Sequence, residues 1–256
     1  MDTYIIKRLD KHILEAHQHL CQSVEGGIFE RTDDWVRGFT GSTISTFNIL
    51  LLLRKQALND ELLSDTAAYF NEEDVPHVVA FDEHWFSGGT SFLHSRSYQP
   101  LPPLPGMVLL GPPRRFRSHP DLVVERVETP SVLGEYCRLI SELFGLPFVE
   151  TTRLFSINQL HDEAIRHYVG YVDEVPVVAG TGVLTEGVVS IWNVATHDVV
   201  RRQRVATALM ERLLGDAWDD GCDVSLLYST PMAYSLYQRL GYELYTQRRC
   251  FLPPEW

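Results

Sequence analysis

The residues best placed to do chemistry lie between positions 190 and 214, SIWNVATHDVVRRQRVATALMERLL. A β-rich apolar run, 191–196, leads into a short loop that carries Arg201 and Arg202 and ends at Gln203 and Arg204. Beyond it, Val205, Ala208, Leu209, Leu213, Ala217 and Trp218 recur at helical spacing, which predicts a helix with one buried face. A strand, a tight basic loop and a helix start together make an anion site. The first turn of a helix has backbone N–H groups without intrahelical partners, and the helix dipole adds partial positive charge. A diphosphate accepts several of those donors at once. Ala206 and Thr207 are small enough to let phosphates approach the backbone, and the planar guanidinium forks of Arg201, Arg202 and Arg204 suit phosphate oxygens.

The elements that must position this site belong to a chain with two similar halves. In the first, STFNILLLL (45–53), DELLSDTAAYFNEED, PHVVAF and SFLHSRSY (91–98) read as strand, helix, strand and helix leading to an aromatic-led strand. In the second, SIWNVAT (190–196), ALMERLLGDAWDDG, DVSLLYS and SLYQRLGY (235–242) repeat that order. An offset of about 145 residues between matched segments points to a duplicated α/β unit. Six prolines in residues 101–120 predict a turn, a short strand at 107–110 and a linker. DLVVERVET and SVLGEYCRLISELFG then open a new strand and an amphipathic helix, so the expected units are residues 1–115 and 121–256.

Two motifs in the second half carry a family resemblance. Arg201-Arg202-Gln203-Arg204-Val205-Ala206 resembles the pyrophosphate signature Q/R-x-x-G-x-G/A of the GCN5-related N-acetyltransferase (GNAT) superfamily, with Arg201 first and Ala206 last. Arg204 departs from the usual glycine. It adds a Cβ that crowds the diphosphate, or a guanidinium that reaches it. Some thirty residues on, Ala233-Tyr234-Ser235-Leu236-Tyr237-Gln238-Arg239-Leu240-Gly241-Tyr242 resembles the closing Y-x-x-x-G-F/Y of the same family. Gly241 is expected to end a helix in a left-handed conformation.

The resemblance implies an α/β (α+β) fold with a mixed, mostly antiparallel sheet flanked by helices, here duplicated. It implies acetyl-CoA as co-substrate, held between two splayed parallel strands, 190–196 and 223–229. Val194, Ala195 and Thr196 would hold the pantetheine arm, Gln203 to Thr207 the diphosphate, and Tyr234 would also contact the cofactor. A backbone N–H near Val194 would stabilise the oxyanion. Tyr237 would protonate the leaving thiolate. The strand position expected to supply a base carries Trp192 and Asn193 instead of glutamate, which leaves Glu174, Glu186 and His197 open for that role. In the first half Leu93 stands where Tyr237 stands and Ser97 where Gly241 stands, so that half reads as degenerate. It would cover the catalytic half and shape an acceptor pocket, with Trp35, Phe81, Trp85 and Phe86 as candidate lining.

Composition limits the partners. Hydrophobic residues make up 45% and charged residues 22%, ordinary for a folded chain. A net charge of −12 repels phosphate backbones, so nucleic acid is not an expected partner, and a small-molecule amine is. Cys21, Cys137, Cys222 and Cys250 are scattered, as expected of free thiols in a reducing cytoplasm. The polar, amphipathic start has no signal-peptide pattern, and no apolar run is long enough to span a bilayer, so a cytoplasmic monomer or homodimer is expected. No metal is expected, because the ten histidines form no ligand-spaced cluster. The alternative function is a non-catalytic acyl-CoA-binding sensor of the same fold.

Overall fold

The computed structural model describes residues 2–114, 119 and 121–254. The first half comprises α1 (Thr3–Gln22), β1 (Ile28–Arg31), β2 (Trp35–Phe39), β3 (Ile49–Leu52), α2 (Asp60–Glu72), β4 (Val78–Asp82), α3 (Gly89–His94), β5 (Gln99–Pro100) and β6 (Leu104–Leu110). The second comprises β7 (Leu122–Arg126), α4 (Pro130–Phe144), α5 (Phe148–Leu154), α6 (Asn158–His161), β8 (Ile165–Val172), β9 (Val175–Thr185), β10 (Val188–Thr196), α7 (Val205–Asp219), β11 (Val224–Tyr228), α8 (Tyr234–Leu240) and β12 (Glu243–Leu252). Local chemistry sets several boundaries. Thr129 caps α4 by accepting from the Val132 amide, Pro130 occupies its first turn, and Gly145 ends it in the left-handed region. Residues 45–47, expected to begin a strand, form a short 3₁₀ turn instead, and β3 starts only at Ile49.

Eleven strands form one continuous path in the order β1-β2-β3-β4-β12-β6-β11-β10-β9-β8-β7, with β5 attached to β12. Among the pairings, β3–β4 and β10–β11 are parallel and the others antiparallel, which is the mixed sheet expected. Alternating side chains serve the two faces. Val188, Leu226 and Val108 pack with Leu9 and Ile13 of α1. Val189, Ile191 and Leu227 pack with Leu209 and Leu213 of α7. Each such buried leucine contributes about 1.5–3 kcal/mol relative to exposure.

The two halves exchange their closing strands. β6 pairs with β11 of the second half, and β12 pairs with β4 of the first, so neither β4 nor β11 is flanked by its own half's last strand. Residues 107–110, read from sequence as a short strand within a linker, extend as β6 (Leu104–Leu110) and lie at the centre of the sheet. Gly106 sits where the exchanged strands cross. A Cβ there would overlap the Thr246 methyl and sit 3.1 Å from the Tyr228 and Tyr245 rings. Beside this crossing, Arg248 of β12 makes two hydrogen bonds to Asp82 of β4, Nε–Oδ1 at 3.1 Å and Nη2–Oδ2 at 2.8 Å. The Tyr228 hydroxyl of β11 donates to the same carboxylate at 2.7 Å. This pair is buried and ties together strands from both halves.

The internal repeat is visible in hydrogen bonding. After α8, the Tyr242 amide donates to the Tyr237 carbonyl at 3.0 Å, with Gly241 at φ 105°. After α3, the Tyr98 amide donates to the Leu93 carbonyl at 3.1 Å, with Ser97 at φ 64°. The same turn closes both helices, and Leu93 and Ser97 occupy the places matched to Tyr237 and Gly241. Of the aromatic residues expected to line a pocket between the halves, Trp35, Phe81 and Phe86 pack instead in a core with Leu63 of α2 and Phe251 of the exchanged β12. Trp85 alone of the four packs on the α1 side, near Tyr228, Tyr245 and Trp192.

Candidate active site

The parallel strands β10 and β11 stay in register from Val188↔Val224 to Ile191↔Leu227 and then part. Tyr228 follows β6 instead, opposite Gly106, and the Ser229 amide donates to the Pro105 carbonyl at 2.8 Å. On its other side β10 bulges. Its register with β9 passes from Trp192↔Thr181 to Ala195↔Ala179, three residues against two, with Asn193 at φ 54°. From Trp192 to Thr196, then, β10 pairs with no strand on its β11 side among the described residues. That free edge includes Val194, Ala195 and Thr196, and it offers backbone donors and acceptors to an extended ligand.

The basic loop closes this wedge. His197 caps a 3₁₀ turn, Asp198–Val200, and α7 begins at Val205. Arg202 and Arg204 both adopt left-handed φ, 64° and 66°. At Arg204 the chain takes the turn a glycine would adopt freely, against a cost of about 1–2 kcal/mol for an L-residue. No side chain caps α7 and no acid stands in its first turn. The amides of Val205, Ala206 and Thr207 therefore keep their field and their donors for a ligand. Helix α7 sits close to the sheet because Gly180 and Gly182 leave room; a Cβ on Gly180 would meet the Leu209 Cδ2 at 2.9 Å. The loop side chains brace the loop itself. The Arg201 Nε donates to the Thr196 carbonyl at 3.3 Å, and its guanidinium pairs with Asp198 at 2.6 Å. The Gln203 amide donates to the Val199 carbonyl at 3.0 Å.

The corresponding helix of the first half lacks these properties. The Asn59 side chain caps α2 by accepting from the Leu62 amide, and Asp60 and Glu61 occupy its first turn. An anion would meet negative charge and a spent donor there.

Tyr237 lies on α8 in the core cluster of Val205, Leu209 and Leu227, on the α7 side of the sheet. Its ring meets Tyr242 edge-on at 5.8 Å between centroids. Burial pushes its phenol well above the usual tyrosine range, so the proton stays on at neutral pH. Tyr234, half-buried at the start of the same helix, packs against this cluster.

Of the residues left open as a base, Glu186 stands in the β9–β10 turn and pairs with Lys11. Seven residues of strand, at about 3.3 Å each, separate it from the bulge, so it lies far from the wedge. Glu174 is exposed in the β8–β9 turn. His197 stands at the end of β10, where its Nδ1 accepts from the Val199 amide at 3.4 Å and its Nε2 lies 3.3 Å from Glu142 of α4.

Sequence reading missed the groups beneath the bulge on the α4 side. Tyr136, Thr181, His167 and Gln159 are all buried and hydrogen-bonded in series. Nearby on that face the His17 ring meets Trp192 edge-on at 5.3 Å. Tyr136, Gln159, His167 and Thr181 lie on four different elements with no short motif, so their signal in the sequence was polar residues at otherwise apolar strand and helix positions.

Comparison with known proteins bears on the fold. Residues 170–245 match the family model described as acetyltransferase (GNAT) domain. No curated protein matches the chain. Among solved structures, a GCN5-related N-acetyltransferase from Kribbella flavida is 15% identical with a TM-score of 0.74, over 94% of this chain and 94% of that one. Another from Sphaerobacter thermophilus is 13% identical with a TM-score of 0.63, over 86% and 76%. A tandem GNAT protein from the clavulanic acid biosynthesis pathway is 14% identical with a TM-score of 0.56, over 87% and 80%. At such identities the likeness is one of fold.

Proposed function

From a chain that carries an acetyltransferase (GNAT) domain at residues 170–245, we propose that the second half transfers an acetyl group from acetyl-CoA to a small-molecule primary amine, by direct attack in a ternary complex. One observation carries this reading. The parted strands, the bulge and an uncapped helix start without acids meet at the same end of β10, and the matching region of the first half has no such helix start. The residues present fit the co-substrate: Val194 to Thr196 provide a free strand edge that would hold the pantetheine arm, and the amides of Gln203 to Thr207 would hold the diphosphate in a loop braced by Arg201, with Arg202 and Arg204 beside it.

The chemistry follows from what each group can do. The amine nitrogen attacks the thioester carbonyl, and the Val194 amide donates to the oxygen as it gains negative charge. The C–S bond then breaks, and Tyr237, which holds its proton at neutral pH, gives that proton to the departing sulfur. The amine's own proton leaves to water or to a group in the acceptor pocket, and positioning contributes the rest. The first half acts as a degenerate unit that covers this site. A second reading, an acyl-CoA sensor without turnover, draws on Trp192 and Asn193 standing at the bulge in place of a carboxylate.

The test is a melting shift with saturating acetyl-CoA, run on the wild type and on Ala206→Glu. Ligand at about 100 times its dissociation constant adds roughly 2.7 kcal/mol, a shift of about 5–10 °C at this size. The variant places bulk and negative charge against the diphosphate and should show no shift. A wild type that does not shift would sink the assignment, and equal shifts would sink the placement of the loop. Thiol release with added amines then separates the transferase from the sensor.

A further inference from the structure

We propose that Tyr136 is a positioning residue for acetyl transfer: through Thr181 and Asn193 it holds the β10 bulge in the conformation that aims the Val194 amide into the wedge. The inference rests on the proposed function and adds to it the group that sets the oxyanion donor.

The buried chain of hydrogen bonds has a single direction. The Gln159 amide nitrogen donates to the Leu154 carbonyl at 3.0 Å and to the Ser23 hydroxyl at 2.9 Å, which fixes its oxygen as the acceptor facing His167. His167 must then donate from Nε2, at 2.8 Å. Burial drives the imidazole down to about 3, so the ring is neutral and Nδ1 has only a lone pair. The Thr181 hydroxyl donates its one proton to that nitrogen at 2.7 Å. Tyr136 has no choice but to donate to the Thr181 oxygen, at 2.6 Å. The Tyr136 oxygen keeps its lone pairs; burial holds its phenol well above the usual tyrosine range, and the nearby Asn193 side chain opposes that shift only weakly.

The placement of this chain matters more than its length. Thr181 lies directly opposite Trp192, the last regular residue before the bulge, and Ala179 lies opposite Ala195, the first one after it. Tyr136 packs in one cluster with Ala179 and Ala195. It therefore plugs the notch under the bulge and grips the facing strand at its near edge. Asn193 sits between, at φ 54°, a left-handed turn that asparagine tolerates better than most residues but holds less freely than glycine, so that a neighbouring anchor adds to its stability. Anchoring from below fixes that turn and hence the heading of the next amide, Val194. His167, held neutral with both nitrogens engaged, serves as an anchor for the chain and takes no proton.

A double-mutant cycle tests this. Glycine adopts left-handed φ freely, so Asn193→Gly removes the need for an anchor. Acetyl-CoA consumption is followed with spermidine, tyramine and an alanyl peptide as amines. Tyr136→Phe should lower kcat about tenfold and leave the KM for acetyl-CoA within about threefold, because an oxyanion donor acts mainly in the transition state. In the Asn193→Gly background the same change should cost less than about twofold, a coupling that a merely structural tyrosine would not show. An unchanged kcat in Tyr136→Phe, or equal losses in both backgrounds, overturns the proposal. If the wild type turns over none of these amines, the proposed function is in trouble and amide hydrogen exchange decides the inference alone. Residues 190–196 should then exchange about tenfold faster in Tyr136→Phe while β11 is unaffected; unchanged exchange refutes it.

Discussion

Mild acid should unfold this protein well before its carboxylates are protonated. His12, His77 and His167 are each no more than 1% exposed. Burial lowers them to about 4, about 4 and about 3. His77 is the starkest case: among the described residues neither ring nitrogen has a hydrogen-bond partner, and the ring stacks on Phe70 at 4.4 Å. In the unfolded chain each titrates near 6.5. Their folded values lie below that, so the unfolded state binds more protons between about pH 6.5 and pH 4. Stability is full above pH 6.5 and falls as the pH drops through that window. At pH 5 each histidine costs about 2 kcal/mol, or about 6 kcal/mol for the three, against a total stability of about 5–15 kcal/mol. His17, half-buried beside Arg248 and lowered to about 3, acts in the same direction. The assay is urea unfolding at half-unit steps from pH 7.5 to 5, which should show stability falling by up to about 4 kcal/mol per unit near pH 5.5. His77→Leu should reduce that slope by about 1.4 kcal/mol per unit. A slope below that single-proton value in the wild type would mean that these histidines are not held neutral, and the reasoning would fail.

Two further outcomes follow from the site and the strand exchange. Tyr237→Phe should lower turnover about 10²-fold at neutral pH while the acetyl-CoA melting shift persists, since the phenol acts on the leaving sulfur; an unchanged rate would remove it as the proton donor. Arg248→Met should cost about 3–5 kcal/mol in urea unfolding, because it leaves the Asp82 carboxylate buried without its cation. Asp82→Asn added to Arg248→Met should recover part of that loss, and no recovery would mean that the pair is not what joins β4 to β12.

Much of the second half was legible because its signals are local. The apolar period of α7, the small residues at its start, and Gly241 closing α8 each reflect the conformational limits of neighbouring residues. The equivalence of Leu93 with Tyr237 was readable for the same reason, since one turn geometry closes both helices. The backbone at Arg204 is left-handed, the conformation a glycine adopts freely.

What only the tertiary structure decided depends on contacts distant in sequence. Residues 104–110 carry prolines that read as a linker, yet the strand is central, because its partners are β11 and β12, more than a hundred residues downstream. Trp35, Phe81 and Phe86 looked as eligible for a pocket as Trp85, and packing against α2 from β2, β4 and the loop after β4 placed them in the core. The bulge at Asn193 has no sequence signature of its own, since it is defined by register against β9. The chain from Gln159 to Tyr136 joins α6, β8, β9 and α4, and hydrogen-bond direction in such a chain exists only once all four are packed. The sequence by itself pointed to residues 201–207 of the second half as a candidate anion site; packing alone determined which groups stand beneath the β10 bulge.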